Sequence, residues 1–259
     1  MSSAYPKIDF YDISCTTTSE SWSPYTARIW LALRLLEIPS ERHLMPMCRI
    51  NDTLADAGVF RPLAGRHTLP AITLDQKEWV TDSAAIASTL QKLYLEHGGQ
   101  LSHSLFPDAA SKDLAEKANQ AMSTSLAAGD RWKSVVPSVY YILEPESQEF
   151  FIETRTSSWK KSPLDILATE AKQNAERDGG IEQVYAKAML PFVELYATKD
   201  KSGTWLGGER PIYADLITLA ALQWYKCANT DAFHKALEIN GGALQKAWTA
   251  GQELLFQQS

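Results

Sequence analysis

Apolar and polar residues alternate from Lys7 to Tyr11, which predicts a strand with one buried face. After a loop rich in Ser and Thr, Pro24 begins a segment in which apolar residues recur at helical spacing until Pro39. The pattern that follows predicts a second short strand over 42–45 and a short helix over 51–60. The first quarter of the chain therefore alternates strand and helix.

The segment 68–83 predicts a strand, a tight turn, a second strand and the start of a helix. Residues 71–74 suit a pleated core surface, the polar residues 75–77 suit a hairpin connection, and Trp79 lies in the partner strand. Pro70 stands at the strand entrance, where its missing N–H costs no ladder bond, and an X-Pro bond can also be cis. Residues 82–83 are placed to cap an amphipathic helix.

Gly and Ser cluster after this helix, at 97–104, and mark a change in composition. Helical periodicity dominates from there on, over 109–132, 146–159, 163–198 and 211–226, with two shorter elements at the end. We predict an α/β domain over residues 1–97 with a thioredoxin-like mixed sheet, a linker over 98–107, and an all-helical domain over 108–259.

Composition narrows the possible partners of this 259-residue chain. A net charge of -6 argues against nucleic acid or an anionic membrane as the main partner. Cys15, Cys48 and Cys227 are far apart and match neither a disulfide framework nor a metal-binding spacing. The N-terminus has no apolar signal core, and no apolar run is long enough to span a bilayer. We therefore expect a cytoplasmic protein without a bound metal.

The segment T-L-P-A-I at 68–72, a hairpin, and D-S at a helix start resemble the glutathione-binding half of a glutathione transferase. The resemblance implies that Leu69 and Pro70 pair with the cysteinyl backbone of glutathione. It also implies that Asp82 and Ser83 hold the gamma-glutamyl end, where a helix N-terminus favours an anion. An all-helical second domain has the layout of this family, and the family resemblance further implies a homodimer.

Three further motifs support the resemblance. Residues 206–215, L-G-G-E-R-P-I-Y-A-D, resemble the family's helix-start signature, although Ile212 replaces the usual capping Ser or Thr, and Asp215 is expected to accept from N–H groups there. Two segments resemble a fungal class related to bacterial beta-etherases: S-W-S-P-Y-T at 21–26, which fits W-S-P-x-T, and P-E-S-Q-E-F-F-I-E-T-R at 145–155, which fits P-x-S-x-x-Y-F-x-x-T-R.

Ser23 is the predicted catalytic residue because it immediately precedes the proline that begins the first helix. A hydroxyl there can donate a hydrogen bond to the glutathione thiolate while the helix dipole favours the same negative charge. The simpler interpretation is that Ser23 only caps the helix. Ser21 is the second candidate, because it lies in the same loop and the register of the motif leaves the choice open.

The glycyl carboxylate of glutathione requires a cation, and the resemblance offers Arg66, His67 or Arg42. Each of these is alternatively an ordinary surface group, and His67 departs from the aromatic residue that is more common there in the related class. The second substrate is expected between the domains, against the loop that ends at Trp22 and the helix that carries Met122.

The sequence therefore predicts a glutathione transferase of the Ser type, with glutathione as cosubstrate and an apolar, aromatic electrophile. The same thiolate suits detoxification, cleavage of an aryl ether or a tailoring step of secondary metabolism. A rival hypothesis is a ligandin-like binder of hydrophobic aromatic compounds that performs no catalysis, which the departures at His67 and Ile212 support. A third is a thiol transferase that uses Cys15, which we instead interpret as a bystander because it precedes the helix start by several residues.

Overall fold

The N-terminal part of the chain is built on one mixed sheet in the computed structural model, which describes residues 5–59, 66–199 and 202–253. The sheet has the order β2-β1-β3-β4, with β2 parallel to β1 and the other neighbours antiparallel. Its strands are β1 (Ile8–Ile13), β2 (Glu41–Met45), β3 (Ala71–Leu74) and β4 (Glu78–Thr81). Three helices accompany it: α1 (Pro24–Leu35), α2 (Ile50–Asp56) and α3 (Ser83–Glu96). The predicted thioredoxin-like arrangement is confirmed.

Local sequence features explain how the strands of this sheet are connected. Parallel strands need a crossover, and α1 supplies it by packing its buried face, which includes Ile29 and Leu33, in the same core as Phe10 of β1. The hairpin between β3 and β4 turns at Asp75 and Gln76, whose φ values of 52° and 58° are those of a type I′ turn. The hairpin therefore forms without the usual Asn-Gly pair.

The rest of the described chain is helical, and its centre is the helix that begins at Tyr213. This helix is buried at every position from Tyr213 to Tyr225, so the others surround it. The helices are α4 (Ala109–Ala127), α5 (Trp132–Val135), α6 (Pro145–Trp159), α7 (Pro163–Ala168), α8 (Glu170–Asp178), α9 (Ile181–Ala197), α10 (Tyr213–Ala228), α11 (Thr230–Asn240) and α12 (Gly242–Gly251). The predicted all-helical second part is confirmed, and across the described ranges we find no helix with the length and apolar character needed to cross a membrane.

Several predicted helix boundaries are wrong, and glycine accounts for the largest error. The single helical pattern over 163–198 is divided into α7, α8 and α9, and the last break occurs at Gly179 and Gly180, whose φ values are 94° and 126°. The pattern over 109–132 is interrupted at Gly129, which has a φ of 63°. The helix predicted over 51–60 ends at Asp56, and residue 60 lies outside the described ranges.

Asp215 organises the start of α10 in spite of Ile212. Its fully buried carboxylate accepts hydrogen bonds from the Ile212 N–H (2.9 Å), the Leu206 N–H (2.8 Å) and the Tyr196 hydroxyl (2.6 Å). Burial raises the pKa of Asp215 to about 6, against the opposing effect of these hydrogen bonds. The expected acceptor role of Asp215 is therefore confirmed, and it fixes the loop before α10 to the rest of the helical part.

Candidate active site

A cavity of about 690 Å³ lies between the two parts of the chain. On the α/β side it is lined by the loop before α1, the first turn of α2, the residues before β3 and the start of α3. The helical side is mainly apolar and consists of Met122, Leu126, Val136, Val139, Phe150, Phe151, Arg155 and Trp224, with Ser123. This position between the domains matches the expected place of a second substrate.

Ser23 lies at the N-cap of α1 and lines the cavity. Its carbonyl accepts the first helical hydrogen bond, from the Ala27 N–H at 2.8 Å, while its side chain makes no capping bond. No other residue that the structure describes bonds to the Ser23 hydroxyl, although Ser23 is only 6% exposed. A buried hydroxyl at a helix N-terminus is thus available for a negatively charged ligand.

Ser21 has a different environment from Ser23. Its side chain is buried, with its hydroxyl 3.0 Å from that of Thr26, and it is not among the lining residues of the cavity. Between the two serines, Trp22 does line the cavity and donates its indole N–H to the carbonyl of Ser14 at 3.2 Å. Of the two candidate hydroxyls, only that of Ser23 is placed to meet a ligand.

The Leu69–Pro70 peptide bond is cis, as the sequence allowed, and both residues line the cavity. The backbone N–H and carbonyl of Leu69 form no hydrogen bond with any other described residue, so they are available to an extended ligand. They lie directly before β3, the strand that begins at Ala71. This is the geometry required for pairing with a peptide-like molecule.

The start of α3 forms the next part of the cavity wall. Asp82 caps the helix, with one carboxylate oxygen accepting from the N–H groups of Ala84 (2.9 Å) and Ala85 (3.1 Å). The carbonyl of Ser83 accepts from the hydroxyl of Tyr213 at 3.0 Å, which joins α3 to the start of α10. Asp82 and Ser83 both line the cavity, so the structure brings Ser23, Leu69, Pro70, Asp82 and Ser83 to one place.

The three predicted cations have different surroundings. Arg66 is exposed and lines the cavity. His67 also lines it but is 6% exposed, and its Nε2 lies 2.8 Å from the carbonyl of Val59. One ring nitrogen of His67 is therefore already held by a backbone carbonyl of the protein.

Arg42 lies outside the cavity lining, contrary to the expectation that it meets a glycyl carboxylate. Its Nε and Nη2 donate to Asp12 at 3.0 and 2.8 Å, and its Nη1 donates to the carbonyl of Ser19 at 2.6 Å. The guanidinium also lies over the ring of Trp30. Sequence spacing could not reveal this pairing, because the buried Asp12 carboxylate is thirty residues away along the chain.

Arg155 is a cavity residue that the sequence analysis did not select, although it ends the motif at 145–155. It projects from α6, half-buried, with its guanidinium 5.2 Å from the ring centre of Phe151 and 6.0 Å from that of Trp159. Burial, and then the charge of Arg66, lower the pKa of Arg155. Its position over the cavity depends on packing between the two parts of the chain, which the sequence motif alone does not indicate.

Arg28 is a second residue that the sequence analysis missed, and its side chain is buried behind the residues that line the cavity. It is 2% exposed, and it donates to the Pro24 carbonyl at 2.9 Å and to the Asn119 side chain at 2.7 Å. These bonds join the first turn of α1 to α4. Arg28 therefore holds the helix start that carries Ser23 against the helical part.

Two other groups of polar residues lie outside the cavity lining. Cys15 is half-buried, and its thiol donates to the Thr18 carbonyl at 3.5 Å. Asp9, Glu41 and His43 bring ligand atoms within 4.8 Å of one another on β1 and β2. The ammonium of Lys7 already pairs with both carboxylates, at 3.4 and 3.2 Å, so this cluster has a counter-charge from the protein.

A mixed sheet of this order, followed by helices that enclose a cavity with it, defines a two-part thioredoxin-like and all-helical protein. The chain belongs to the glutathione S-transferase family, because the family's N-terminal domain model matches residues 22–93 and its C-terminal domain model matches residues 116–254. These ranges include Ser23, the cis-proline segment and the start of α3 in one model, and Arg155 and α10 in the other.

Individual proteins resemble the chain over most of its length. The glutathione S-transferase-like protein ustS of Aspergillus flavus is 26% identical, over 96% of this chain and 91% of its own. The crystal structure of glutathione transferase GSTFuA3 from Phanerochaete chrysosporium superposes with a TM-score of 0.77 at 22% identity, covering 99% of this chain and 100% of that one. The glutathione S-transferase CsGST63524 of Ceriporiopsis subvermispora, in complex with glutathione, gives a TM-score of 0.66 at 22% identity, with 93% and 97% covered.

Proposed function

We propose that this protein is a Ser-type glutathione transferase, in which the Ser23 hydroxyl stabilises the thiolate of bound glutathione for attack on an apolar, aromatic electrophile. The observation that carries the proposal is the Ser23 side chain, which lines the cavity at a helix N-terminus without capping that helix. A hydroxyl used only for folding would bond to the free N–H groups of the first turn. The Ser23 hydroxyl is left for a ligand.

The energy required matches what this arrangement can supply. A thiol with a pKa of about 8.5 is only ~3% ionised at pH 7, and lowering the pKa by ~2 units needs ~2.7 kcal/mol. A hydrogen bond to a charged group contributes ~1.5–3 kcal/mol, and a helix N-terminus contributes ~0.3–1 kcal/mol. Ser23 and the start of α1 together are therefore sufficient, without a second cationic group at the sulfur.

We place glutathione along the α/β wall of the cavity. The free backbone groups of Leu69 pair with its cysteinyl unit, and the start of α3 at Asp82 and Ser83 holds its gamma-glutamyl end. Arg66 is the remaining cation for the glycyl carboxylate, because Arg42 is paired with Asp12 and the buried His67 ring already contacts the Val59 carbonyl. The complex of the Ceriporiopsis relative with glutathione supports this use of the fold.

The apolar helical wall supports an aromatic second substrate. Met122, Leu126, Val136, Val139 and Phe151 face the same cavity as Ser23, which suits a flat hydrophobic molecule with an electrophilic carbon near the sulfur. We include in the proposal a homodimer in the cytoplasm, acting in detoxification or in secondary metabolism. Aryl ether cleavage uses the same thiolate and is a variant of the same function.

Steady-state conjugation of glutathione to 1-chloro-2,4-dinitrobenzene tests the proposal. At pH 7, Ser23→Ala is expected to lower kcat/KM about 10- to 25-fold, because the ionised fraction of bound glutathione falls from roughly three quarters towards ~3% as the pKa of its thiol returns towards 8.5. Ser21→Ala is the matched control, since it removes a hydroxyl of the same loop that lies outside the cavity lining. Equal rates for wild type and Ser23→Ala would refute the role of Ser23.

A ligandin-like binder is the remaining alternative, and the same cavity supports it because apolar groups dominate the helical wall. Glutathione and an aromatic ligand would then both bind, while conjugation would not exceed the uncatalysed rate with any electrophile tested. A thiol transferase is a weaker alternative, because Cys15 lies outside the cavity lining; loss of all turnover in Cys15→Ser would restore it.

A further inference from the structure

The described lining of the cavity carries more positive than negative charge, although the chain as a whole has a net charge of -6. Its charged members are Arg66, Arg155 and Asp82. One oxygen of the Asp82 carboxylate is already used by the N–H groups of Ala84 and Ala85. An excess of cations in a cavity of an acidic protein favours an anionic ligand.

Arg155 has no acidic partner among the residues that the structure describes. Its guanidinium lies over the rings of Phe151 and Trp159, and no described side chain or carbonyl accepts a hydrogen bond from it. A guanidinium that faces a cavity without a protein acceptor has its donors available for a carboxylate of a ligand, and pairing there offsets the cost of its partial burial. By contrast, the buried Arg28 and the partly buried Arg42 both donate to protein oxygens.

Arg155 lies on a different wall of the cavity from the residues that we assign to the cysteinyl and gamma-glutamyl parts of glutathione, although the charge of Arg66 reaches it. It projects from α6 on the helical wall, next to the apolar side chains of Phe150 and Phe151, whereas Leu69, Pro70 and Asp82 lie on the α/β wall. A ligand that reaches the Arg155 guanidinium must therefore also contact aromatic and aliphatic carbon. This combination fits an aromatic ring that carries an anionic group.

We propose that Arg155 binds a carboxylate of the second substrate, so that the preferred electrophiles are aromatic acids. The planar guanidinium matches a carboxylate with two parallel hydrogen bonds, while Phe150 and Phe151 contact the ring. This inference rests on the proposed function, because it assigns the second substrate of the same cavity.

Two stable conjugates provide a test that needs no turnover. S-(4-carboxybenzyl)glutathione and S-benzylglutathione differ only in the carboxylate on the ring, and calorimetry gives the Kd of each for the full-length protein. Wild type is expected to bind the carboxylated conjugate about tenfold more tightly, the value of one charge-assisted hydrogen-bonded contact. Arg155→Met is expected to abolish this preference without changing the Kd of S-benzylglutathione, and Arg155→Lys to retain part of it.

Arg210→Met is the control for the loss of one positive charge, since Arg210 is exposed and outside the cavity lining. Its preference for the carboxylated conjugate should equal that of wild type. If wild type binds both conjugates equally, the inference fails while the proposed function stands. If Arg155→Met weakens both conjugates equally, Arg155 instead contacts glutathione itself, and the inference also fails. If neither conjugate binds wild type, the proposed function fails together with the inference.

Discussion

The helix that begins at Pro24 and the helix that begins at Tyr213 differ in whether a side chain accepts hydrogen bonds from the backbone at the N-terminus. In the first turn of α10, Asp215 accepts hydrogen bonds from three protein donors and is fully buried. Before α1, Ser23 accepts no capping bond with its side chain and faces the cavity. Both helices are long and well buried, so the difference does not arise from their place in the core.

The difference separates a group that stabilises the fold from one that is available for chemistry. A helix start leaves several N–H groups unpaired, and proteins usually satisfy some of them with a side chain. The Asp215 side chain accepts hydrogen bonds from backbone N–H groups at the start of its helix. The Ser23 side chain accepts none at the start of α1. Asp82 is intermediate, because it caps α3 with one carboxylate oxygen and still lines the cavity.

The largest effect is expected from Asp215→Ala. The substitution leaves the Tyr196 hydroxyl and the N–H groups of Leu206 and Ile212 without their acceptor in a fully buried place. We expect the free energy of unfolding to fall by about 3–5 kcal/mol, measured by urea denaturation. A loss below about 1 kcal/mol would show that this helix start does not depend on the carboxylate.

The pH dependence of stability provides a second test of Asp215. Because its folded-state pKa is raised from 3.8 to about 6, its contribution to stability is fully present below pH 4 and is lost as the pH rises through 6. Asp215→Asn does not titrate at this position. Between pH 4 and 7, we expect the stability of wild type relative to Asp215→Asn to fall by about 2–3 kcal/mol. A constant difference across this range would contradict the raised pKa.

The substitution that lowers activity more, Ser23→Ala, should lower stability less than Ser21→Ala does. Ser21→Ala removes a buried hydrogen bond with Thr26 and should lower the free energy of unfolding by about 1 kcal/mol. Ser23→Ala removes no capping bond and should change it by less than about 0.5 kcal/mol. Equal destabilisation by both variants would mean that Ser23 serves the fold as Ser21 does.

Two substitutions of Asp82 separate the effect of its helix cap on stability from the effect of its charge on glutathione binding. Asp82→Ala removes the acceptor for two N–H groups and should cost about 1 kcal/mol of stability. Asp82→Asn keeps an acceptor oxygen and should stay within about 0.5 kcal/mol of wild type, while glutathione binding weakens in both variants. If Asp82→Asn binds glutathione as tightly as wild type, the negative charge of Asp82 does not contribute to glutathione binding.

The sequence predicted the parts of the site that depend on local backbone geometry. Pro24 marks the start of α1, Pro70 allows the cis peptide bond, and Asp82 is a strong capping residue. All three signals lie within a few residues of the structure they determine. The same local signals predicted the strands well, but the helical periodicity around Gly129 and Gly179 did not reveal the breaks that their positive φ values produce.

The remaining features depend on residues that are distant in sequence. Arg42 and Asp12 come together only because β1 and β2 pair in parallel, so a lone arginine in the sequence resembled a free cation. Arg155 reaches the cavity only because α6 packs across the loop before α2. The choice between Ser21 and Ser23 also required the structure, because both lie in the same loop and only the packing decides which one faces the cavity.

The role of Ser23 in stabilising the thiolate is tested most directly by the ultraviolet thiolate absorbance of bound glutathione, titrated against pH in wild type and in Ser23→Ala. We expect the bound thiol to ionise with a pKa near 6.5 in wild type, about 2 units below its free value, and Ser23→Ala to lose most of this shift. An unshifted thiol in wild type, or the same low pKa in Ser23→Ala, would contradict the assignment of Ser23.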